Sequence, residues 1–319
     1  MRVLVTGGAG FIGSHLVDRL LLDGHSVSAL DNVSTGQKSN LDRHDKNQNF
    51  SFINGSVLDQ DLLAKCINGV DYVFHFAAAV GVFTIVNHPL SSLVTNIRGT
   101  ENVLEIASKN NTPVFLSSSS EVYGKNISNS LRESDDRILG SPTTLRWSYS
   151  EAKAIDESLA YAYWTERELP TRIVRFFNTV GPRQVGAYGM VVPRFISAAI
   201  KNEPIKIYGT GEQTRCFGHV LDVIDAVVSV AFSDKTIGQV INIGNDKEIS
   251  MNNLAKKIIE LTNSASQIKY IPYSEAYGDG FEDMERRVPN IDLINSLTGW
   301  KPKRGLDEII KDVAQDLQN

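Results

Sequence analysis

Thr6-Gly7-Gly8-Ala9-Gly10-Phe11-Ile12-Gly13, directly after the apolar run Val3-Leu4-Val5, is the stretch that decides the fold. The run before it reads as a strand, and the apolar spacing after it predicts a helix over about 12–22. Gly8, Gly10 and Gly13 satisfy the G-x-G-x-x-G spacing at that junction, with Gly7 opening the turn. Without Cβ atoms the turn can be tight, the backbone can approach a pyrophosphate, and the amides of Phe11, Ile12 and Gly13 at the helix start face it. Asp31 ends the next apolar run, 18 residues beyond Gly13, close to the roughly 20 expected of a ribose-binding carboxylate. A carboxylate there repels a 2′-phosphate, so the pattern predicts NAD rather than NADP.

Outward from this unit, short apolar runs alternate with helix-length amphipathic segments. Strands are expected near 26–30, 50–53, 70–76, 114–117 and 171–176, and helices near 62–67, 89–108 and 149–166. The Asn-, Asp-, Lys- and Gln-rich stretch 32–49 reads as a polar loop. Continuous apolar strands between helices predict a parallel sheet covered on both faces, a Rossmann-type doubly wound α/β fold. After Asn178 the character changes. Glycine and proline punctuate 181–193, a helix is expected over 192–201, a strand over 205–208, and further helices over 251–261 behind Ser250 as N-cap and over 306–317. The expected organisation is an NAD-binding domain over 1–178 with a return at about 219–243, and a smaller mixed α/β substrate-binding lobe from 179–218 and 244–319.

The 319 residues carry a formal charge of −5, with 42% hydrophobic and 22% charged residues. That balance excludes a disordered or collagenous chain and leaves enough to bury. No block of like charge is present, so neither a nucleic acid nor an anionic membrane is expected as partner. Cys66 and Cys216 are too few for a disulfide framework or a four-cysteine zinc site; both read as packing residues, and no metal is expected. No apolar stretch reaches the roughly 18–20 residues that span a bilayer, and the first apolar run is too short for a signal peptide. The expected location is cytoplasmic.

Tyr149 and Lys153 stand four residues apart, on one face of the helix expected there. An unperturbed tyrosine, with a pKa of about 10, is a poor base at neutral pH, and a neighbouring ammonium favours the phenolate. The pair could then remove a hydroxyl proton. The strand end before it, Phe115-Leu116-Ser117-Ser118-Ser119-Ser120-Glu121-Val122-Tyr123-Gly124, falls where a parallel sheet opens its ligand crevice.

Together with His75-Phe76-Ala77-Ala78, Phe177-Asn178-Thr179-Val180-Gly181-Pro182-Arg183 and Gly299-Trp300-Lys301-Pro302, these motifs resemble the extended short-chain dehydrogenase/reductase family along essentially the whole chain. Within it, the chain is similar to the nucleotide-sugar epimerases, dehydratases and decarboxylases. The resemblance implies an NAD reduced and reoxidised in one catalytic cycle. It implies Tyr149 as general base, Lys153 on the nicotinamide ribose, and Ser119 or its neighbours Ser117 and Ser120 near the sugar hydroxyl or cofactor. Asp59 resembles the adenine contact; Asn32, Ala77, Ala78 and Asn96 fall along the cofactor route. Asn178, Arg215 and Arg287 resemble diphosphate ligands, for which planar guanidinium groups are suited, and Arg194, Tyr208 and Gln213 complete the expected UDP-sugar site. A homodimer built on helices near 93–108 and 149–163 is also implied.

All reactions of this group begin by oxidising a sugar hydroxyl to a ketone. Glu121 discriminates among them: the Ser-Ser-Glu-Val-Tyr-Gly run is similar to that of UDP-glucuronate decarboxylases, while 4-epimerases of the group usually lack the acid. Dehydratases carry a further acid where this chain has Ser120, and loss of water needs a proton donor. A carboxylate beside a substrate carboxylate would disfavour the charged ground state, and loss of carbon dioxide would relieve the repulsion. UDP-glucuronate decarboxylation is therefore expected first, 4-epimerisation of a UDP-sugar second, and a nucleotide-sugar dehydratase or a non-catalytic NAD-binding protein after these. In Arg146-Trp147-Ser148-Tyr149, the bulky Trp147 is expected near the sugar, where it would alter specificity.

Overall fold

The computed structural model describes residues 1–81, 85, 87–186, 190–273, 275, 284 and 286–318. All the candidate site residues are among them; of the glycine- and proline-punctuated stretch, 187–189 lie outside. Strands β1 (Arg2–Thr6), β2 (Ser26–Asp31), β3 (Phe50–Asn54), β4 (Tyr72–His75), β5 (Val114–Ser119), β6 (Thr171–Phe176) and β11 (Val240–Ile243) form a seven-stranded sheet in the order β11-β6-β5-β4-β1-β2-β3. Every pairing in it is parallel. Two short strands outside it, β7 (Thr179–Val180) and β10 (Gly218–His219), pair with each other, also in parallel. The chain winds outward from β1 to β3, then returns to pair β4 with β1, and the reversal opens a crevice at the carboxyl ends of those two strands.

The alternation of β1 explains the covering of both faces. Val3 and Val5 point into one apolar cluster, with Leu16 and Leu20 of helix α1 (Phe11–Leu22) and Val223 and Val227 of a later helix, Val220–Ala231. Leu4 points into the other, with Leu63 of α2 (Gln60–Ile67) and Val103 and Leu104 of α3 (Pro89–Lys109). Neighbouring side chains on a strand face opposite ways, so a run apolar at every position must be buried twice. Helix α4 (Ser148–Arg167) lies on the same side as α3.

The second lobe has its own core. Helices α5 (Val191–Ile200), α7 (Met251–Leu261) and α9 (Leu306–Gln318) bury Phe195, Ile196, Leu254, Ile258, Ile309 and Val313 against Ile205 and Ile207 of β8 (Ile205–Tyr208). Ser250 caps α7, accepting from the Asn253 amide at 3.2 Å. α6 (Val220–Ala231) and β11 return to the first sheet, and so does part of the segment 244–319 expected in the sugar lobe. Ile294, on α8 (Asp292–Thr298), and Trp300 join the β1-side cluster, and the Trp300 indole donates to the Asp222 carbonyl at 3.0 Å. The polar loop 32–49 is also more structured than expected. It holds a short 3₁₀ turn, Lys38–His44, whose Leu41 is fully buried.

Candidate active site

The glycine turn can only be built from glycine at two places. Gly7 has φ of +72°, a left-handed conformation that L side chains avoid. A Cβ on Gly13 would lie 2.1 Å from the Gly7 carbonyl oxygen. α1 therefore starts flush against the turn, with Gly10 as its N-cap and no capping side chain, and its first amides open toward the crevice. The loop after β2 closes the turn from outside: Gln37 N and Asn40 Nδ2 both donate to the Ala9 carbonyl, at 3.0 and 2.9 Å. The Asp31 carboxylate accepts from the Ala9 and Val33 amides at 2.9 and 2.7 Å. Burial raises its pKa, against the pull of those amides and that of Gly10.

A cavity of about 730 Å³ runs from this turn into the second lobe. Gly7, Gly10, Phe11, Ile12, Gly13, Asp31, Asn32, Ala77, Ala78 and Ser117 line one end; Asn178, Arg194, Tyr208, Gln213, Arg215 and Arg287 line the other, with Ser119, Ser120, Glu121 and Tyr149 between. The Cβ-free cradle, the open helix start and a carboxylate at the end of β2 fit a dinucleotide. Asp59, expected at the adenine, stands just beyond residues that line the cavity. It is exposed and caps α2, accepting from the Leu62 amide at 3.0 Å, while Gly55, Ser56 and Val57 line the cavity beside it. Asn96 is buried and acts through the backbone, bonding the amide and carbonyl of Ala79 at 2.7 and 3.2 Å to hold the chain that follows β4.

β5 carries the serines to the crevice and stops there because Ser119 turns to cap the short helix Ser120–Tyr123, accepting from the Glu121 amide at 3.2 Å. Tyr149 lines the crevice together with Ser119. Its phenol is held above its ordinary pKa, by burial first, then by the charges of Glu121 and Asp156, with the Ser119 side chain pulling the other way. The expectation that Lys153 favours the phenolate needs correction in this state. Lys153 is 2% exposed, and its ammonium donates to the Ser117 carbonyl at 3.0 Å and to Asp156 at 3.2 Å.

Glu121 is also placed differently from its expected role. Its carboxylate lies 2.6 Å from the Arg146 guanidinium and is bonded on its other oxygen to Arg287. The two positive charges outweigh the burial and hold its pKa well below the usual carboxylate range. Glu121 is thus a fixed anion held between two cations. Arg287, expected on the diphosphate, is drawn to Glu121 and reaches the Asn178 amide oxygen at 3.3 Å and Ser120 Oγ at 3.4 Å. Trp147, expected near the sugar, is 1% exposed and packs away from the crevice, where Arg146 takes its place in the lining. The periodicity missed Arg146 because a 3₁₀ turn, Leu145–Trp147, precedes α4 and rotates the approach to Tyr149.

At the far end the Arg194 guanidinium lies over the Tyr208 ring, 4.1 Å from its centroid, and Gln213 donates to the Tyr208 carbonyl at 2.9 Å. Arg215, on β9 (Thr214–Cys216), donates to its neighbour's carbonyl at 2.7 Å. Planar guanidinium groups in the lining suit phosphate oxygens. Among the described residues no group of three His, Cys, Asp or Glu could hold a metal.

A parallel sheet with a glycine turn at its switch point, and a Tyr-x-x-x-Lys pair whose tyrosine lines the same crevice, defines the extended short-chain dehydrogenase/reductase enzymes of nucleotide-sugar metabolism. The chain belongs to the family described as GDP-mannose 4,6 dehydratase, whose model matches residues 4–313. It is 38% identical over 315 residues to UDP-N-acetyl-alpha-D-glucosaminuronate decarboxylase of Bacillus cytotoxicus, covering 98% of this chain and 97% of the relative. To UDP-glucuronic acid decarboxylase 1 of Xenopus tropicalis it is 35% identical, over 100% of this chain and 73% of the relative. Among solved structures, UDP-glucuronic acid 4-epimerase of Bacillus cereus, in complex with UDP-glucuronic acid and NAD, superposes with a TM-score of 0.90 at 27% identity, covering 100% of this chain and 99% of the other.

Proposed function

We propose that this enzyme uses NAD to decarboxylate a UDP-linked hexuronate, UDP-glucuronate first, giving UDP-xylose through a 4-keto sugar. The observation that carries this reading is the buried Arg146–Glu121–Arg287 group beside Tyr149. Two guanidiniums against one carboxylate leave a net positive charge where the sugar would lie, a match for a substrate carboxylate.

NAD, when bound on the glycine turn, supplies the acceptor for the C4 hydride and its later return. Tyr149, oriented by Ser119, takes the proton of the C4 hydroxyl. The resulting ketone is β to the carboxylate, so the C5–C6 bond can break with its electron pair entering the C4 carbonyl as an enolate, and carbon dioxide leaves. Tyr149, now protonated, and Ser119 donate hydrogen bonds to that developing oxyanion. C5 then takes up a proton, and the ketone is reduced. Lys153, anchored from behind, offers its remaining N–H to the cofactor side.

A second reading, 4-epimerisation, is supported by the likeness to the Bacillus cereus epimerase. The deciding experiment incubates the protein separately with UDP-glucuronate, UDP-N-acetylglucosaminuronate, UDP-glucose and UDP-N-acetylglucosamine and resolves products by NMR. A pentose product with release of carbon dioxide supports decarboxylation; a C4-inverted hexose or hexuronate overturns it.

A homodimer across α3 and α4 is part of the same proposal, supported by Leu90, Ile155 and Tyr161, which lie exposed on these helices. No helix among the described residues is long and apolar enough to cross a membrane, and the free Cys66 and Cys216 suit a reducing compartment such as the cytoplasm.

A further inference from the structure

Behind Tyr149 lies a buried polar line that the reaction above does not use. An ammonium has three N–H donors, and Lys153 spends two on the Ser117 carbonyl and on Asp156. Asp156 sits one turn further along α4 with no exposed side-chain surface. From there the line runs back to the glycine turn. Thr100 of α3 stands beside Asp156; its Oγ1 lies 3.2 Å from His75 Nε2, and His75 Nδ1 lies 2.7 Å from Thr6 Oγ1, which accepts from the Ala77 amide at 3.2 Å.

Among the described residues Asp156 Oδ1 has no hydrogen-bond partner, so the Lys153 ammonium on Oδ2 is what balances the carboxylate. The His75 imidazole stays neutral, because burial lowers its pKa to about 3.

We propose that Asp156 is a positioning residue: its buried carboxylate fixes the Lys153 ammonium against the Ser117 carbonyl and so governs proton exchange at Tyr149. Asp156 offsets the positive charge of Lys153 and adds a negative charge near the phenol, and both effects oppose the phenolate. The other charged groups facing this cluster are Glu157 on α4, paired with Arg175 of β6, and Glu121, paired with Arg146 and Arg287.

The proposal rests on Tyr149 as the base, and the test separates the two. Asp156→Asn keeps the shape and removes the charge. Single-turnover reduction of NAD by UDP-hexuronate, followed at 340 nm across pH, should show the acid limb moving to lower pH by on the order of one unit. NAD binding without substrate, measured by calorimetry, should weaken several-fold as Lys153 loses its anchor. Asp156→Ser should move both readouts the same way if the Asn variant does not fold. An acid limb that stays in place, with or without loss of rate, overturns the proposal, as does unaltered NAD affinity. A Tyr149→Phe variant that still reduces NAD would instead overturn the base assignment on which the proposal rests.

Discussion

Replacing Arg146 by Met tests the centre of the site, because it keeps much of the side-chain volume and removes one of the two charges that balance Glu121. The side chains of Arg146, Arg287 and Glu121 are 6%, 9% and 15% exposed, so little solvent screens the group. Removing one partner of a buried ion pair costs about 3–5 kcal/mol. Because Arg287 still faces Glu121, a smaller loss of about 2–3 kcal/mol at pH 7 is expected, below that range. The pH dependence has a definite sign. The Glu121 carboxyl is depressed in the fold below its ordinary value of 4.5, so its stabilisation is complete above about pH 4.5 and is lost as the pH falls toward the folded value. In the variant, Glu121 titrates at higher pH, and the stability difference between the two proteins should narrow below pH 4.5. Urea unfolding at pH 7 and near pH 3.5 measures it. A difference under about 0.5 kcal/mol at pH 7, or one that is the same at both pH values, refutes the account. Activity gives a parallel readout: kcat/KM for the hexuronate should fall at least about tenfold, the equivalent of roughly 1.4 kcal/mol, with any turnover of a neutral hexose changed far less.

Tyr149→Phe should lower turnover by at least about a thousandfold while NAD binding measured by calorimetry persists, since the phenol is asked for proton transfer and not for holding the cofactor. Gly13→Ala places a methyl 2.1 Å from the Gly7 carbonyl oxygen; the turn or α1 must shift, and NAD affinity should drop by roughly tenfold or more, which calorimetry with NAD would show. Asp31→Ser removes the charge that repels a 2′-phosphate. The preference for NAD over NADP should narrow by about tenfold, and a preference left intact would mean another group sets it.

Much of the first domain was legible because its determinants are local. A strand apolar at every position must be covered on both faces, a G-x-G-x-x-G turn works only between a strand and a helix, and Asp31 ends β2 within the same unit. Tyr149 and Lys153 were legible for the same reason, since four residues on a helix give one face. The helix start at Ser250 follows from a single capping side chain. Asp59 carries two meanings, since an aspartate before a helix is also an N-cap, and its Oδ1 makes that cap. The packing of Ile294 and Trp300 on the first core was not legible, since neither residue reveals from its neighbours which of two cores it joins.

The sequence by itself determined the dinucleotide-binding unit, the parallel sheet and the tyrosine–lysine pair, because each depends on spacings of at most a few tens of residues. Only the tertiary structure decided the charge state of the site. Glu121 meets Arg287 across 166 positions of chain and Arg146 through a 3₁₀ turn that rotates it inward, while Lys153 turns to Asp156 and Ser117. Whether a carboxylate repels a substrate or is neutralised before the substrate arrives depends on which cations the fold buries beside it, and contact across that length of chain is a property of packing, to which local spacing gives no access.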